Sequence, residues 1–486
     1  MGLLQHAQHQ KLELQPRSEF LTTMRTCYLW VWVVLAVAGC DFGDTNLDPT
    51  RSTDAELREV LPGAQAQTAR NLASIGGRVT GTVIQHFKGV DAQPEGYSQY
   101  LIDERTLDVF WRSGLYAGAM KDCHFLREQA LEQGRPHYRA LANILLAVNL
   151  GLATSYWGDV PFRQAFQGLD NPQPAYDTQE DIYLSIQELL AEALDLLAEA
   201  PSESPPAEDD LIFQGNAAAW AATARALQAR YHLHLSRRRP DAALQALHAL
   251  QSGAFQSAEL QPDFPFAANA AEANPLPLYN FERPDQLVLG DFLLQKLQEL
   301  NDPRLRRYAV FRDDLPLLFE LENPDLYWGR FEAPLPLISL AEVRFLEAEA
   351  RLRLGETEAA YTALRQAVSA HFEQLGFPPD SARTYLDEHL PALPTPPDEA
   401  LELLITHKYI ALFGQNPSEA WVDYRRTGFP RLQPPPEAHT SFNPSKVIPR
   451  RYLYPISERT SNPVQMEIAI QRQGGHLLDR ALWAFE

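Results

Sequence analysis

Residues 337–372 of this 486-residue chain read LISLAEVRFLEAEARLRLGETEAAYTALRQAVSAHF, the most regular pattern in the sequence. Two segments within it, Leu337–Leu354 and Glu356–Phe372, have apolar residues at helical spacing. Gly355 lies between them, and glycine commonly ends a helix. Small side chains, among them Ala348 and Ala360, let two helices approach closely. The stretch therefore predicts a helical hairpin.

Two other parts of the chain follow the same pattern more loosely. Asn216–Gln251 predicts a second hairpin, and Pro136–Tyr156 with Thr178–Ala200 predicts a third pair of helices. Units of this length with small residues at the helix contacts are typical of tetratricopeptide repeats. We therefore expect a mostly α protein in which divergent, tetratricopeptide-like hairpins stack into a scaffold. Phe255–Asp285 and most of the chain after Gly414 are expected to be irregular, apart from a short helix near residues 464–471.

Composition excludes several classes of function. The formal net charge of −21 repels polyanions, so no nucleic-acid partner is expected. The sequence has no phosphate-binding glycine loop, nucleophile elbow, zinc-protease motif or cysteine pair, which predicts neither an enzyme, a cofactor nor a metal site. Glu347 and Glu349 are two residues apart on a helix, so they do not converge as a glycosidase pair does. We expect them to be solvated or to bond between helices, although folding can still bring other carboxylates together.

Leu29–Cys40, LWVWVVLAVAGC, is the one strongly apolar run, and it follows Arg25 and ends in small residues before a cysteine. Its apolar part is too short for a transmembrane helix, which needs about 20 residues, but it fits the h-region of a secretory signal. We interpret residues 1–39 as a signal peptide, with Met24 as an alternative start. Cys40 is then the lipid anchor, carrying acyl chains such as palmitate.

This interpretation divides the chain into three parts. The signal peptide is followed by a lipidated, acidic tether at residues 40–53, and residues 54–486 form a single α-helical domain. Of the three cysteines, Cys27 leaves with the signal and Cys40 is modified, so only Cys123 remains and no intrachain disulfide is expected. The membrane is contacted through the lipid only.

Aromatic residues cluster in segments that are predicted to be loops. Flat rings on loops beside Asn, Gln and Asp suit sugar rings or extended peptides, because the ring stacks while the polar groups bind hydroxyls or backbone. The alternative is that these rings fix long loops onto the helices. The ligand-binding candidates are Phe87, Tyr97, Tyr100, Tyr279, Tyr327 and Trp328, with Phe281 and Phe331 beside them.

Several motifs occur in an order that resembles a known family. They are Asn46–Thr50 after the lipid cysteine, YWGDVP at 156–161, NDPR at 301–304, LISLAEVRFLEAEA at 337–350, WVDYRRTGFP at 421–430 and IPRR at 448–451. Each is weak alone, but together they span nearly the whole chain after Cys40. In this order the sequence resembles the SusD/RagB family of Bacteroidota outer-membrane nutrient-binding lipoproteins, in its SusD-like branch.

The resemblance implies a fold and a mode of action. Four tetratricopeptide-like helix pairs would form the scaffold, of which the pattern alone shows three, and the irregular segments would pack on one side and build the ligand surface. The partner would be a SusC-like TonB-dependent outer-membrane barrel, to which the surface-exposed, lipid-anchored protein passes a glycan or an oligopeptide. The Arg425–Arg426 and Arg450–Arg451 pairs are expected to tie the C-terminal loops to the acidic body through bidentate ion pairs.

Two other functions remain open from sequence. One is a tetratricopeptide-like scaffold lipoprotein that gathers envelope proteins and binds no nutrient. The other is a surface-anchored glycoside hydrolase. A gene for an outer-membrane barrel next to this one favours nutrient capture over the scaffold, and hydrolysis of an oligosaccharide favours the hydrolase.

Overall fold

The hairpin at residues 337–372 forms two packed helices in the computed structural model, which describes residues 56–486. The first helix begins after Ser339, whose hydroxyl accepts a hydrogen bond from the Glu342 N–H at 3.2 Å. The turn uses Gly355 with a φ of +80°, a conformation that glycine adopts without strain. The signal peptide, the Cys40 anchor and the tether at 40–53 lie outside the described residues.

Helices dominate the described chain, which confirms the predicted fold class. A π-helix at Phe110–Ala119 precedes the fourth α-helix. In chain order the α-helices are α1 (Leu57–Ala73), α2 (Ile75–Val83), α3 (Ala92–Ser98), α4 (Met120–Glu132), α5 (Pro136–Trp157), α6 (Gln179–Ala198), α7 (Ala217–His234), α8 (Ala242–Gln251), α9 (Pro275–Glu282), α10 (Asp291–Glu299), α11 (Leu305–Tyr308), α12 (Leu340–Arg353), α13 (Thr357–Gln374), α14 (Pro379–His389), α15 (Pro397–Ala411), α16 (Pro417–Thr427), α17 (Ile456–Ser461) and α18 (Pro463–Arg472).

The helices pack in consecutive pairs. Helix α5 packs along α6, α7 along α8, and α12 along α13, as the sequence pattern predicts. Helix α8 also contacts α12, which joins the second and third pairs into one stack. Helices α1 and α4 add a further layer, since α4 packs on both α1 and α5. The scaffold is therefore a continuous stack of helices.

Helix α5 is the centre of this stack. Almost every one of its residues is buried, from His137 to Trp157. It is also the one helix among residues 56–486 that is long and apolar enough to cross a membrane, and its whole apolar window is buried inside the protein. The apolar composition of α5 is therefore explained by its packing against α4 and α6.

Short strands join the segments between helices. A four-stranded antiparallel sheet has the order β1-β5-β7-β6, in which Phe87 pairs with Leu289 and Val288 with Leu317. Two further pairs are β2 with β3 and β4 with β8. The strands are β1 (Phe87–Gly89), β2 (Val160–Pro161), β3 (Tyr176–Asp177), β4 (Asp263–Phe264), β5 (Leu287–Leu289), β6 (Val310–Arg312), β7 (Leu315–Leu317) and β8 (Leu335–Pro336).

Two segments that were expected to be irregular contain helices. Helix α9 lies within Phe255–Asp285, and α16, α17 and α18 lie after Gly414, where only one short helix is predicted. An asparagine followed by proline begins both α9 and α16. Asn274 accepts a hydrogen bond from the Leu276 N–H at 3.0 Å, and Asn416 from the Glu419 N–H at 3.3 Å. These caps stabilise helices whose apolar periodicity is weak.

Buried ion pairs connect α16 to the scaffold. Arg426 binds Glu349 through two nitrogens and also bonds to Asp423, as expected for an arginine that ties the C-terminal region to the helices. The same expectation is wrong for Arg425, Arg450 and Arg451, which form no ion pair within residues 56–486. Arg425 and Arg451 instead donate to backbone carbonyls.

Candidate functional site

Phe87 is a packing residue in this structure. It lies on β1 and is 3% exposed, with its ring 5.6 Å from that of Phe413. The ring lies where a side chain at Gly81 would be, so glycine at that position makes room for it. The expectation of a free loop ring is therefore wrong for Phe87, because a buried ring has no open face for a ligand.

Tyr97 and Tyr100 are also buried. Tyr100 is 1% exposed, and its hydroxyl donates to the Val83 carbonyl at 3.2 Å. Tyr97 lies near the end of α3, and its hydroxyl is buried without a hydrogen-bond partner. Burial raises the pKa of Tyr97 to about 12. Both rings hold the α2–α3 region together, so the loop exposure predicted for them is wrong.

Trp328 fills a space next to Gly414. It is 3% exposed, and the absence of a side chain at Gly414 lets its ring lie against the backbone there. Tyr327 packs edge-on against it, with the ring centroids 4.8 Å apart, and is half-buried. The exposure predicted for Trp328 is wrong as well. Four of the six candidate rings are therefore buried, which agrees with the alternative that the sequence left open, namely that such rings pack against the protein.

A cleft of about 530 Å³ lies beside the first group of rings. Phe87 and Tyr100 line it, but both rings are buried. The rest of its lining is largely polar, with Gln85 and Gln99 among the amides and Lys88 paired to Asp291 at 2.8 Å. Because no ring face is open there, the cleft has no platform on which a sugar could stack.

Tyr279 belongs to a cationic cluster. It lies on α9, half-buried, with the guanidinium of Arg78 4.1 Å and that of Arg283 5.2 Å from its ring centroid. Its hydroxyl donates to Gln286 at 3.3 Å. Burial lowers the pKa of Arg78 to about 10, which the nearby Tyr279 partly offsets. Both guanidinium groups therefore make cation–π contacts with the Tyr279 ring.

Three phenylalanines form a surface cluster, which we call the phenylalanine surface: Phe281, Phe319 and Phe331. Phe281 is 47% exposed, and its ring lies 5.9 Å from Phe319 and 5.5 Å from Phe331, steeply inclined to both. Phe319 and Phe331 are nearly parallel at 5.8 Å. The three rings lie outside the main hydrophobic core. The cluster brings together Phe281 and Phe331, which belong to two groups of aromatic residues that are far apart in the sequence.

Asn274 positions this surface. Its N–H donates to the Phe331 carbonyl at 2.8 Å, and its side-chain amide donates to the Ala333 carbonyl at 3.0 Å. Its side-chain oxygen also caps α9, the helix that carries Phe281. Asn274 itself is buried. One residue therefore fixes both the helix and the loop on which two of the three rings lie.

The arrangement suits the apolar face of a ligand. Ring pairs at these separations and inclinations provide a stable aromatic platform. Charged residues adjoin each ring in sequence, namely Glu282 after Phe281, Glu320 after Phe319, and Arg330 and Glu332 beside Phe331. Sugars bind to such combinations, because their C–H faces stack on rings while their hydroxyls bond to charged and amide groups.

Two residues of this site are not predicted from the sequence. Phe319 has no aromatic neighbour in sequence, so no local pattern indicates it. Asn274 has a local signal, since an asparagine directly before a proline is typical of a helix start. The segment around it, Phe255–Asp285, is predicted to be irregular, so this helix start is not predicted.

The carboxylates considered as a catalytic pair have other roles. Glu349 is buried, and although burial alone raises its pKa, Arg426 and Arg353 hold that pKa well below its usual range. Glu347 pairs with Arg344 and Arg351. Within residues 56–486 no three histidine, cysteine or acidic side chains are grouped to hold a metal ion. Both glutamates thus bond between and along helices.

Comparisons with known proteins identify a family and a shared fold. A SusD-like family model, described as starch-binding and associating with the outer membrane, matches residues 49–455. A SusD/RagB family protein from Bacteroides thetaiotaomicron has a TM-score of 0.73 at 23% identity, over 89% of this chain and 99% of that one. A chitin-binding protein has a TM-score of 0.74 at 23% identity, over 89% and 100%.

A SusD homologue from Bacteroides uniformis aligns as well, with a TM-score of 0.73 at 22% identity, over 88% of this chain and 99% of that one. At these identities the structures establish the shared fold alone. No curated protein matches the sequence.

Proposed function

The chain belongs to the SusD-like family of starch-binding proteins that associate with the outer membrane, and from this premise we propose that it captures a nutrient, a glycan or an oligopeptide, at the phenylalanine surface. Members of this family are binding proteins rather than enzymes. The captured nutrient would then pass to a partner TonB-dependent outer-membrane barrel of the SusC type.

The observation that carries the proposal is the ring cluster of Phe281, Phe319 and Phe331, in which Phe281 is exposed and the other two rings are half-buried. Soluble proteins normally bury phenylalanine, and a ring cluster at the surface that is held by a buried asparagine is typical of a binding surface. Asn274 fixes this geometry before any ligand arrives, which lowers the entropy cost of binding. Among the described aromatic clusters it is the one with an exposed ring that no cation covers.

Delivery to a barrel requires that the protein stays at the membrane. We propose that Cys40 is lipidated and that residues 40–53 act as the tether, which would place the single helical domain of residues 54–486 at the cell surface. Several acyl chains are needed for stable anchoring, since one gives only marginal membrane affinity. A tethered domain closes over a neighbouring barrel as an effectively intramolecular step.

Binding at the phenylalanine surface is tested with defined ligands. The purified full chain is titrated calorimetrically with maltohexaose, chitohexaose and a set of casein-derived oligopeptides. We expect saturable binding of at least one of them, and we expect Phe281→Ala to weaken it by about 2 kcal/mol, as is usual for an aromatic anchor. Phe281 is half exposed, so the variant should melt close to the wild type.

A matched control lies on the same helix. Tyr279→Phe keeps the ring and removes the hydroxyl, so it should leave both the affinity and the melting temperature nearly unchanged. If Phe281→Ala binds like the wild type, or if none of the ligands binds, the phenylalanine surface is not the capture site.

The partner is tested in cells. Purification of the full chain from outer membranes should bring a TonB-dependent barrel with it, and Cys40→Ser should lose both the lipid and the barrel. Recovery of Cys40→Ser in the outer membrane with its barrel would contradict the lipid tether. Recovery of a lipidated protein without any barrel would contradict delivery and support a scaffold.

A further inference from the structure

A second cleft, which we call the arginine cleft, lies at the C-terminal side of α16. It has a volume of about 640 Å³, and none of its lining residues belongs to the phenylalanine surface. Four arginines line it, namely Arg237, Arg425, Arg450 and Arg480. They come from four separate segments of the chain, so the fold brings them together.

Arg425 forms the inner part of this cleft. It is 7% exposed, and its guanidinium lies between the rings of Trp421 and Phe485, 3.6 Å and 4.3 Å from their centroids. Nη1 donates to the Ser155 and Arg450 carbonyls, at 2.7 and 3.0 Å, while Nη2 is buried without a partner. Burial lowers the pKa of this guanidinium to about 9. The stacking fixes the group, and one of its donors stays unused.

The cations of the arginine cleft are not neutralised by the protein. Within residues 56–486, none of the four arginines is ion-paired, whereas most other arginines there bind a carboxylate, as Arg230 binds Glu342 at 2.7 Å. Arg237, Arg450 and Arg480 are exposed. The chain has a formal net charge of −21, so a cleft lined by several unpaired cations contrasts with the overall negative charge of the protein.

Two acidic residues also line the cleft. Glu486 is paired with Arg238 at 3.0 Å, and Asp479 accepts a hydrogen bond from the Ser445 N–H at 3.2 Å. The other oxygen of Asp479, Oδ1, is buried without a partner. Counting side chains alone, four cations face two anions, so the lining keeps a net positive charge. The cleft can therefore take one or two more negative charges.

We propose that the arginine cleft binds the carboxylate of an acidic oligosaccharide, with Arg450 and Arg480 as its bidentate partners. A guanidinium presents two parallel N–H donors that match a carboxylate, and such pairs are strong and directional. The exposed arginines are free to turn toward the ligand. A volume of about 640 Å³ lies within the usual range for small-ligand sites, roughly 300–1,000 Å³, and admits more than a single ion.

The saccharide part of the ligand rests on the proposed function. The lining also holds Tyr424, whose half-buried ring suits the C–H face of a sugar. Thr427 and Gln473 line the cleft too, but their polar groups already bond within the protein, since the Thr427 hydroxyl donates to the Asp423 carbonyl at 2.6 Å and the Gln473 amide donates to the Tyr454 hydroxyl. An acidic sugar would thus bind its carboxylate to the arginines and stack on Tyr424. The protein would take acidic glycans at this cleft in addition to the nutrient held at the phenylalanine surface.

The experiment titrates the full chain with trigalacturonate and, in parallel, with its fully methyl-esterified form, which is closely similar in size but uncharged. We expect saturable 1:1 binding of the acid only, weakening as salt is added. Arg450→Gln and Arg480→Gln should each lower the affinity about tenfold, and their exposed positions should leave the melting temperature unchanged. Arg58→Gln, an exposed arginine on α1, is the matched control.

The outcomes separate this proposal from the proposed function. Equal binding of the ester, a tri-aspartate peptide binding as tightly as the sugar acid, or no effect of Arg450→Gln and Arg480→Gln would each overturn it. Phe281→Ala should leave trigalacturonate binding intact. If maltohexaose, chitohexaose and the casein-derived oligopeptides all fail to bind while trigalacturonate binds with the expected arginine dependence, the phenylalanine surface is refuted and the arginine cleft stands.

Discussion

Phe87 and Phe281 both lie in aromatic segments that look alike in the sequence, yet Phe87 is 3% exposed and Phe281 is 47% exposed. Gly81 leaves room for the Phe87 ring, and the ring of Phe413 packs against it. Phe281 lies on α9, whose buried face consists of Leu276, Pro277 and Asn280. A residue directly after Asn280 points about 100° away from it, so its ring stays outside.

The comparison shows that the surroundings decide whether an aromatic ring packs or binds. Phe87 and Trp328 each lie against a glycine, Tyr100 bonds to the distant Val83 carbonyl, and Tyr97 is buried in the same core. The rings of the phenylalanine surface contact mainly one another. We expect substitutions in the first group to change stability and substitutions in the second group to change affinity.

Trp328→Ala gives the largest expected effect and tests the buried group. Truncating a buried tryptophan beside Gly414 leaves a cavity, which should lower the free energy of unfolding by about 4 kcal/mol. The change is measured by urea unfolding. Affinity for maltohexaose or chitohexaose, measured well below the melting temperature, should stay as in the wild type.

The opposite result would reverse the assignment of Trp328. A variant with wild-type stability and lost glycan affinity would show that this ring binds ligand in another conformation. Phe281→Ala provides the contrast, since it should cost under about 1 kcal/mol of stability.

Asn274→Ala tests the link that holds the surface rings together. The change removes the α9 cap and leaves the Ala333 carbonyl without its donor, so we expect a loss of about 2 kcal/mol in unfolding free energy. Because the Ala333 carbonyl lies two residues after Phe331 on the same loop, losing its donor should loosen the Phe331 ring, and glycan affinity should fall as well. Both are measured on the same preparation, by urea unfolding and calorimetry.

Asn280→Ala is the control for this prediction. Asn280 is also buried on α9, but its amide bonds to the Leu276 carbonyl of the same helix at 3.0 Å. It should lower stability and leave affinity unchanged. If the two variants lose affinity equally, the effect comes from α9 itself and Asn274 has no special positioning role.

The helical hairpins were predictable because their signal is local. Apolar spacing and Gly355 define α12 and α13 within one short stretch of sequence, residues 337–372. Helix α16 was missed because its buried face includes Glu419, Asp423 and Arg426, which are neutralised by partners on other helices. A periodicity of apolar residues cannot reveal a face that is buried through ion pairs.

The candidate site was predictable only in part. The sequence indicates aromatic segments around residues 279–281 and 327–331, and the structure joins them through Phe281 and Phe331. It gives no sign that Gly414 and Gly81 make room for Trp328 and Phe87, because these contacts depend on the tertiary fold. The sequence shows where aromatic rings occur, but their exposure depends on residues that are distant in sequence.

Asp263→Asn gives the smallest expected effect. It tests whether half-buried Tyr327 belongs with the buried rings or with the rings of the phenylalanine surface. Burial raises the pKa of Asp263 to about 6, although a hydrogen bond from Gln261 opposes this. Burial also raises the pKa of Tyr327 to about 12, and the Asp263 carboxylate adds to that rise. Since the folded-state pKa lies above the usual 3.8, the folded protein holds an extra proton between about pH 4 and pH 6. Stability therefore falls as the pH rises through that window.

The amide that replaces the carboxylate carries no charge, so this pH dependence should disappear in the Asp263→Asn variant. We expect the variant to be about 1 kcal/mol more stable than the wild type at pH 8, a modest figure because the group is partly exposed, and equally stable at pH 3. Urea unfolding at both pH values measures the difference.

A gain in stability at pH 8 places Tyr327 with the buried rings, because it shows that little water reaches the space beside Tyr327. Equal stability at both pH values would mean that water reaches Asp263, and Tyr327 would then belong with the rings that a ligand can contact.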